Sequence, residues 1–240
     1  MPACDACHVH GCITHALENL PKNCPCLQEE RPGQLYTGEE YTIAHNAALV
    51  ESEGYGRNTR VEEIMDFAHK CGYHKIGLAF CSGFQAEADI FAKILRKNGF
   101  AVESVICKNG SHSKACLGVS REQQVRPQRE FEPMCNPIGQ AMRLAEAGTE
   151  LNVILGLCVG HDTLFMRHSA APATVLAVKD RALAHNPAAA LYIADSYLNR
   201  VYRFIETKYP APKTASNPRA RPSAGASPPE KRMALPRPLR

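Results

Sequence analysis

KIGLAFCSGFQAEADIFAKILRKNGFAVESVIC, residues 75–107, holds two short apolar runs on either side of an amphipathic segment. The runs at 75–81 and 100–107 have the length of β-strands. Between them, apolar residues recur at helical spacing from Phe84 to Leu95, and Asn98-Gly99 is a typical helix stop. The stretch therefore predicts a strand, a helix and a second strand.

The same alternation continues along residues 39–208. It comprises a helix that ends before Gly72, the stretch above, a polar loop at 108–132, a helix at 137–147, strands at 151–158 and 173–179, and a helix from 187 to about 207. Apolar strands separated by amphipathic helices favour a parallel sheet covered on both faces. We predict an α/β fold, a Rossmann-like three-layer sandwich.

The two ends of the chain differ from this central domain. Residues 1–38 are rich in cysteine and lack apolar periodicity, so a bound metal is the expected source of their order. Residues 209–240 contain eight prolines and seven Lys or Arg against the single Glu230, which predicts a disordered tail. Residues 1–208 carry a net charge of −2. The tail has no aromatic residue after Tyr209 and no folded platform, which disfavours nucleic acid as a partner.

The chain has 11 cysteines in 240 residues. Its start resembles no export signal, and no apolar run approaches the roughly 18 residues of a membrane helix. We therefore expect a soluble, cytoplasmic protein with no membrane partner. In a reducing compartment, thiols serve as metal ligands or catalysts more often than as disulfides.

The first group of cysteines has the spacing C-x2-C-x4-C-x11-C-x-C. Its members are Cys4, Cys7, Cys12, Cys24 and Cys26. Such pairs are typical of zinc sites and iron–sulfur clusters, and the spacing does not choose between the two. Zinc would take four of the thiolates, or three with one of His8, His10 or His15. The alternative is a terminus of unligated thiols.

A second group follows from the predicted strands. Cys81 and Cys158 end two of them, and ligands of open parallel sheets bind beyond the carboxyl ends of the strands. Cys135 comes directly before Asn136-Pro137, a typical helix start whose dipole favours a thiolate. We predict a cofactor site that contains Cys81, Cys135 and Cys158.

Three further residues are candidate proton donors or fourth ligands for this site, namely His161, Asp162 and His185. The alternative is that the cysteines only fill the core. The remaining cysteines lack such a context and are assigned structural or incidental roles: Cys71, Cys107 and Cys116. Neither standard phosphate-binding loop nor a G-x-S-x-G elbow occurs, so nucleotide binding and serine hydrolysis lose support.

Several motifs resemble a family of prokaryotic proteins described as uncharacterised metal-binding proteins, the domain of unknown function 1847. They are Cys4-x-x-Cys7, Cys12, LPKNCPC (20–26), NAALVESEGY (46–55), KIGLAFC (75–81), FEPMCNP (131–137), GLCVGHD (156–162) and VKDRALAHNP (178–187). The resemblance implies metal binding, with the N-terminal cysteines as ligands, and no established reaction.

Three functions fit these patterns. The first is an iron–sulfur or other metal-dependent enzyme that acts on a small molecule in the cysteine-lined crevice. The second is a zinc-binding carrier or sensor without catalysis. The third is a regulatory domain that binds a small ligand at the strand ends while the cysteines are structural.

Overall fold

The computed structural model describes residues 3–28 and 32–210. Within them, the strands are β1 (Lys75–Phe80), β2 (Ala101–Ile106), β3 (Leu151–Leu157) and β4 (Ala173–Val178). They form one parallel sheet in the order β2-β1-β3-β4. The predicted Rossmann-like α/β fold is confirmed, and every strand begins and ends within one residue of its predicted bounds.

Helices precede, connect and follow these strands. Their bounds are α1 (Gly11–Thr14), α2 (Pro32–Leu35), α3 (Gly38–Gly54), α4 (Arg60–Lys70), α5 (Gln85–Lys97), α6 (Pro137–Glu146), α7 (His161–His168), α8 (Ala188–Tyr192) and α9 (Phe204–Lys208). Because crossovers between parallel strands are right-handed, α5 covers one face of the sheet while α6 and α7 pack together on the other. The predicted loop at 108–132 contains two short 3-10 helices, Lys114–Leu117 and Arg121–Gln123, and Ser113 in it forms an isolated antiparallel bridge with Pro133.

The core lies on both faces of the two central strands. All seven residues of β3 are buried, and Leu78 of β1 is fully buried. Leu95 from α5 and Leu144 from α6 pack in the same core and are also fully buried. Each such side chain contributes about 2 kcal/mol to stability through its burial. This core packs against both faces of the sheet, whose parallel strands all end at one edge, the carboxyl edge.

Residues 3–28 form short turns. Besides α1, these are 3-10 turns at Cys4–Ala6, Leu17–Asn19 and Pro25–Leu27. The 3-10 turns have three residues each and α1 has four, as expected for a segment without apolar periodicity. Across the described part of the chain, every helix is too short or too polar to traverse a lipid bilayer.

The predicted helix from 187 to about 207 is wrong. The chain instead forms α8, a series of tight turns, a 3-10 helix at Asn199–Arg203 and α9. Ser196 donates from its hydroxyl to the Ile193 carbonyl at 3.3 Å, and its N–H donates to the same oxygen at 3.2 Å. Side chains of this type compete for local backbone groups and favour turns over helix.

The chain divides into two compact units, Met1–Ala189 and Ala190–Arg240. The described part of the second unit contains the turns, the 3-10 helix and α9. The tail predicted to be disordered lies, from residue 211 onward, outside the described residues.

Candidate thiol-lined site at the carboxyl edge of the sheet

Three neighbouring strands each end one residue before a cysteine. Cys81 follows β1, Cys107 follows β2 and Cys158 follows β3. The Cys81 N–H donates to the Leu155 carbonyl at 3.0 Å, and the Cys107 N–H donates to the Phe80 carbonyl at 2.8 Å. These bonds extend the sheet to the cysteines. Since β1 lies between β2 and β3, Cys81 stands between the other two at the edge where open α/β sheets bind ligands.

Cys107 was not predicted to belong to this site. From the sequence it was assigned a structural or incidental role. FAVESVIC (100–107) ends in cysteine in the same way as KIGLAFC (75–81) and LNVILGLC (151–158). The signal was therefore present in the sequence. It emerges only when the three strands are aligned by their carboxyl ends.

The start of α6 brings a fourth cysteine to this edge. Asn136 caps the helix, with its side-chain oxygen accepting from the Gly139 N–H at 2.9 Å, and Pro137 is the first helical residue. The Asn136 N–H donates to the Cys107 carbonyl at 2.8 Å. This bond holds Cys135, the preceding residue, beside the end of β2. The helix start predicted from the Asn-Pro pair is present.

The thiols of Cys81, Cys107 and Cys135 interact in series. Hydrogen bonding by the Cys107 thiol, with help from the charge of Lys108, lowers the pKa of Cys135 to about 6. The same contact with Cys135 raises the pKa of Cys107. The contact with Cys107, together with burial, raises the pKa of Cys81 to about 12. One thiolate therefore forms near neutral pH, on Cys135, while Cys107 and Cys81 keep their protons.

A guanidinium group contacts Cys158. The guanidinium of Arg181 donates from Nη2 to the Cys158 Sγ at 3.4 Å, and this contact raises the pKa of Arg181. Cys81 and Cys107 are 8% and 1% exposed, whereas Cys135 and Cys158 are half-buried and face solvent. The site thus has two buried thiols and two accessible ones.

The two accessible thiols line a cleft of about 840 Å³. It lies between the carboxyl edge of the sheet and the loop at 108–132, called the long loop below. Its lining combines basic side chains (Lys108, Lys114, Arg126, Arg129, Arg181) with apolar ones (Leu117, Val119, Val125, Phe131, Met134). The acidic residue in the lining is Glu132, which forms an ion pair with Lys114. A cleft of this volume has room for a small-molecule ligand.

The three candidate proton donors have different surroundings. His161 lines the cleft, and burial together with the nearby Lys108 lowers its pKa. Asp162 accepts from the Thr163 N–H at 2.8 Å in the first turn of α7. His185 accepts at Nδ1 from the Asp180 N–H at 3.1 Å, and its ring centroid lies 4.5 Å from that of Phe84. Of the three, His161 is placed among the described residues that line the cleft.

The N-terminal cysteines lie on the short turns of residues 3–28. Hydrogen bonding and charge from Cys24 and Cys12 raise the pKa of Cys26, so these three thiols are neighbours. Cys4 is exposed and Cys7 is half-buried. Over residues 3–28 and 32–210, no three or more His, Cys, Asp or Glu side chains are arranged to hold a metal ion. This finding applies to the N-terminal thiols and to those of the sheet edge.

Two comparisons relate the chain to known proteins. The profile of the family described as "Protein of unknown function (DUF1847)" matches residues 22–176, a range that includes all four cysteines of the sheet edge. The "Uncharacterized protein MJ0455" of the archaeon Methanocaldococcus jannaschii is 44% identical over 190 residues, which cover 79% of this chain and 93% of that protein. The chain therefore belongs to the DUF1847 family, as its motifs suggested.

Proposed function

We propose that the protein binds a metal ion or an iron–sulfur cluster through Cys81, Cys107, Cys135 and Cys158, and that this centre serves chemistry on a small molecule in the adjacent cleft. The observation that carries the proposal is the delivery of one cysteine by each of three neighbouring strands, with a fourth at the start of α6. Four thiolates are the ligand set of structural zinc and of common iron–sulfur clusters.

The local electrostatics suit such a centre. Metals bind thiolates and release the thiol protons, so cations near the sulfurs favour binding. Lys108 lies beside Cys135, and Arg181 contacts Cys158. The thiols of Cys81, Cys107 and Cys135 hydrogen-bond to one another, and a bound metal would replace the protons that they share. The four side chains would have to turn their sulfurs toward a common ion, since no group of three or more ligands is already arranged around one point in the described residues.

Elemental analysis of anaerobically purified protein, together with its absorption spectrum, tests this proposal. We expect Cys107→Ala and Cys135→Ala to lose the metal of this centre, at least tenfold in occupancy, because three thiolates bind more weakly than four. Cys71→Ala is the matched control, since Cys71 precedes β1 at the opposite edge of the sheet. Metal content that stays unchanged in both sheet-edge variants would reject the proposal.

A second centre in residues 3–28 is favoured by the proximity of Cys12, Cys24 and Cys26. We propose zinc or an iron–sulfur cluster there, with Cys4 or Cys7 as a further ligand. One zinc per chain in this segment, with none at the sheet edge, would favour the alternative function of a zinc carrier or sensor over a metal-dependent enzyme. Cys26→Ala is expected to remove that metal, whereas Cys116→Ala should leave it in place. Retention of all metal in Cys26→Ala would contradict this second proposal.

A further inference from the structure

The cleft beside Cys135 and Cys158 has the opposite charge to the folded part of the chain. Residues 1–208 carry a net charge of −2, with acidic residues in excess. The lining of the cleft nevertheless contains five basic side chains and one carboxylate. A local concentration of positive charge in a concave site raises the local concentration of anions and their rate of association. The cleft is therefore suited to a negatively charged ligand.

Three of the basic side chains already have partners. Lys114 pairs with Glu132, Lys108 donates from Nζ to the Pro133 carbonyl at 2.7 Å, and Arg181 contacts Cys158. Arg126 and Arg129 are exposed, and their side chains form no ion pair within the described part of the chain. Neither guanidinium group is therefore engaged by a carboxylate of residues 3–28 or 32–210, and both can bind an anion.

Apolar side chains lie beside these arginines in the lining of the cleft. Leu117, Val125 and Phe131 line the same cleft, and they are 64%, 80% and 48% exposed. Exposed apolar side chains grouped in a cleft mark a binding surface more often than single ones scattered over a protein. The long loop therefore presents guanidinium groups and apolar side chains together toward the thiols.

We propose that this cleft binds a small amphipathic organic anion, a molecule with a carboxylate, sulfonate or phosphate group on an apolar body. Its charged group lies against Arg126 and Arg129, where guanidinium groups form charge-assisted hydrogen bonds with anionic oxygens. Its apolar body lies against Phe131 and Val125. The inference deepens the proposed function by naming the class of molecule that reaches the thiols, but the binding itself requires no metal.

Fluorescence titration of the full-length protein tests this inference with two probes. Anilinonaphthalene sulfonate carries an anionic group on an apolar ring system, and N-phenylnaphthylamine has the same rings without the charge. We expect Arg126→Gln/Arg129→Gln to weaken binding of the sulfonate by about tenfold and to change binding of the neutral probe by less than about twofold. Arg126→Lys/Arg129→Lys should restore most of the affinity for the sulfonate.

The matched control removes two positive charges elsewhere. Lys93→Gln/Arg143→Gln has the same net charge as the test variant, and both residues lie in exposed ion pairs on α5 and α6. Equal weakening by the control, no weakening by the test variant, or no sulfonate binding by the wild type would each overturn the inference. If anaerobically purified protein contains no metal and still binds the sulfonate through the two arginines, only the metal proposal is rejected. If the protein retains its metal but binding does not depend on the arginines, only this inference is rejected.

Discussion

Gly156→Ala is expected to lower the free energy of unfolding by about 3 kcal/mol. Gly156 has a φ of +69°, and an added Cβ would stand 2.1 Å from Cδ2 of Phe84. The left-handed backbone costs an alanine roughly 1–2 kcal/mol, and the clash costs about as much again because Phe84 is buried. Urea unfolding followed by circular dichroism measures the loss.

Gly99→Ala separates the two causes. Gly99 also has a positive φ, +89°, but a Cβ there would meet no atom within 4 Å. Its substitution should therefore cost only the backbone strain, about 1 kcal/mol. In a Phe84→Ala background, Gly156→Ala should become as mild as Gly99→Ala. If Gly156→Ala already costs no more than Gly99→Ala in the wild type, the tight packing of Phe84 on β3 is wrong.

The Gly156 position matters to the site as well as to stability. The register between β3 and β4 shifts between Ile154 and Leu155 and again between Leu155 and Leu157, and Gly156 lies within the second shift. Phe84, which packs on Gly156, also lies under Lys179, whose Nζ is 4.0 Å from the ring centroid. A larger residue at 156 would displace these groups together. The glycine therefore lets the Phe84 ring pack directly against β3.

Alkylation of Cys135 by iodoacetamide in chelator-treated protein is expected to be half-maximal at pH about 6. The ordinary thiol value is 9.0, and the Cys107 hydrogen bond and Lys108 lower the pKa of Cys135 to about 6. Because a lowered pKa favours the thiolate, the reactive fraction at pH 7 is about 90% instead of about 1%. The rate of Cys135 alkylation should fall as the pH drops below 6 and should change little above pH 7. Mass spectrometry of the labelled peptide gives the rate.

Two substitutions test the cause of this shift. Cys107→Ala removes the hydrogen bond and Lys108→Met removes the charge, so each should move the midpoint of Cys135 alkylation to higher pH, with the larger effect for Cys107→Ala. Lys97→Met, at the end of α5, is the control and should leave the midpoint in place. A wild-type midpoint near pH 9 would show that Cys135 is an ordinary thiol.

The local pattern of apolar and capping residues was sufficient to predict the four strands and the helix that begins at Pro137. Strand residues in a doubly covered sheet are apolar over their whole length, so the run at 151–158 identified β3 without further information. An Asn-Pro pair places a helix start because both residues act on their own neighbours. The helix predicted from 187 to about 207 was wrong because apolar spacing alone did not reveal that turn-forming side chains such as Ser196 would bond to the nearby backbone.

The sequence alone established the four strands and their succession along the chain, the parallel sheet and the presence of cysteines at the strand ends, because each depends on residues close together in the chain. The tertiary structure decided which of those cysteines are neighbours. Cys107 and Cys135 are separated in the chain by the long loop. They interact because β2 ends, and α6 begins, at the same edge of the sheet. Strand order and loop path depend on contacts between distant segments, and those contacts also determine which thiol loses its proton first.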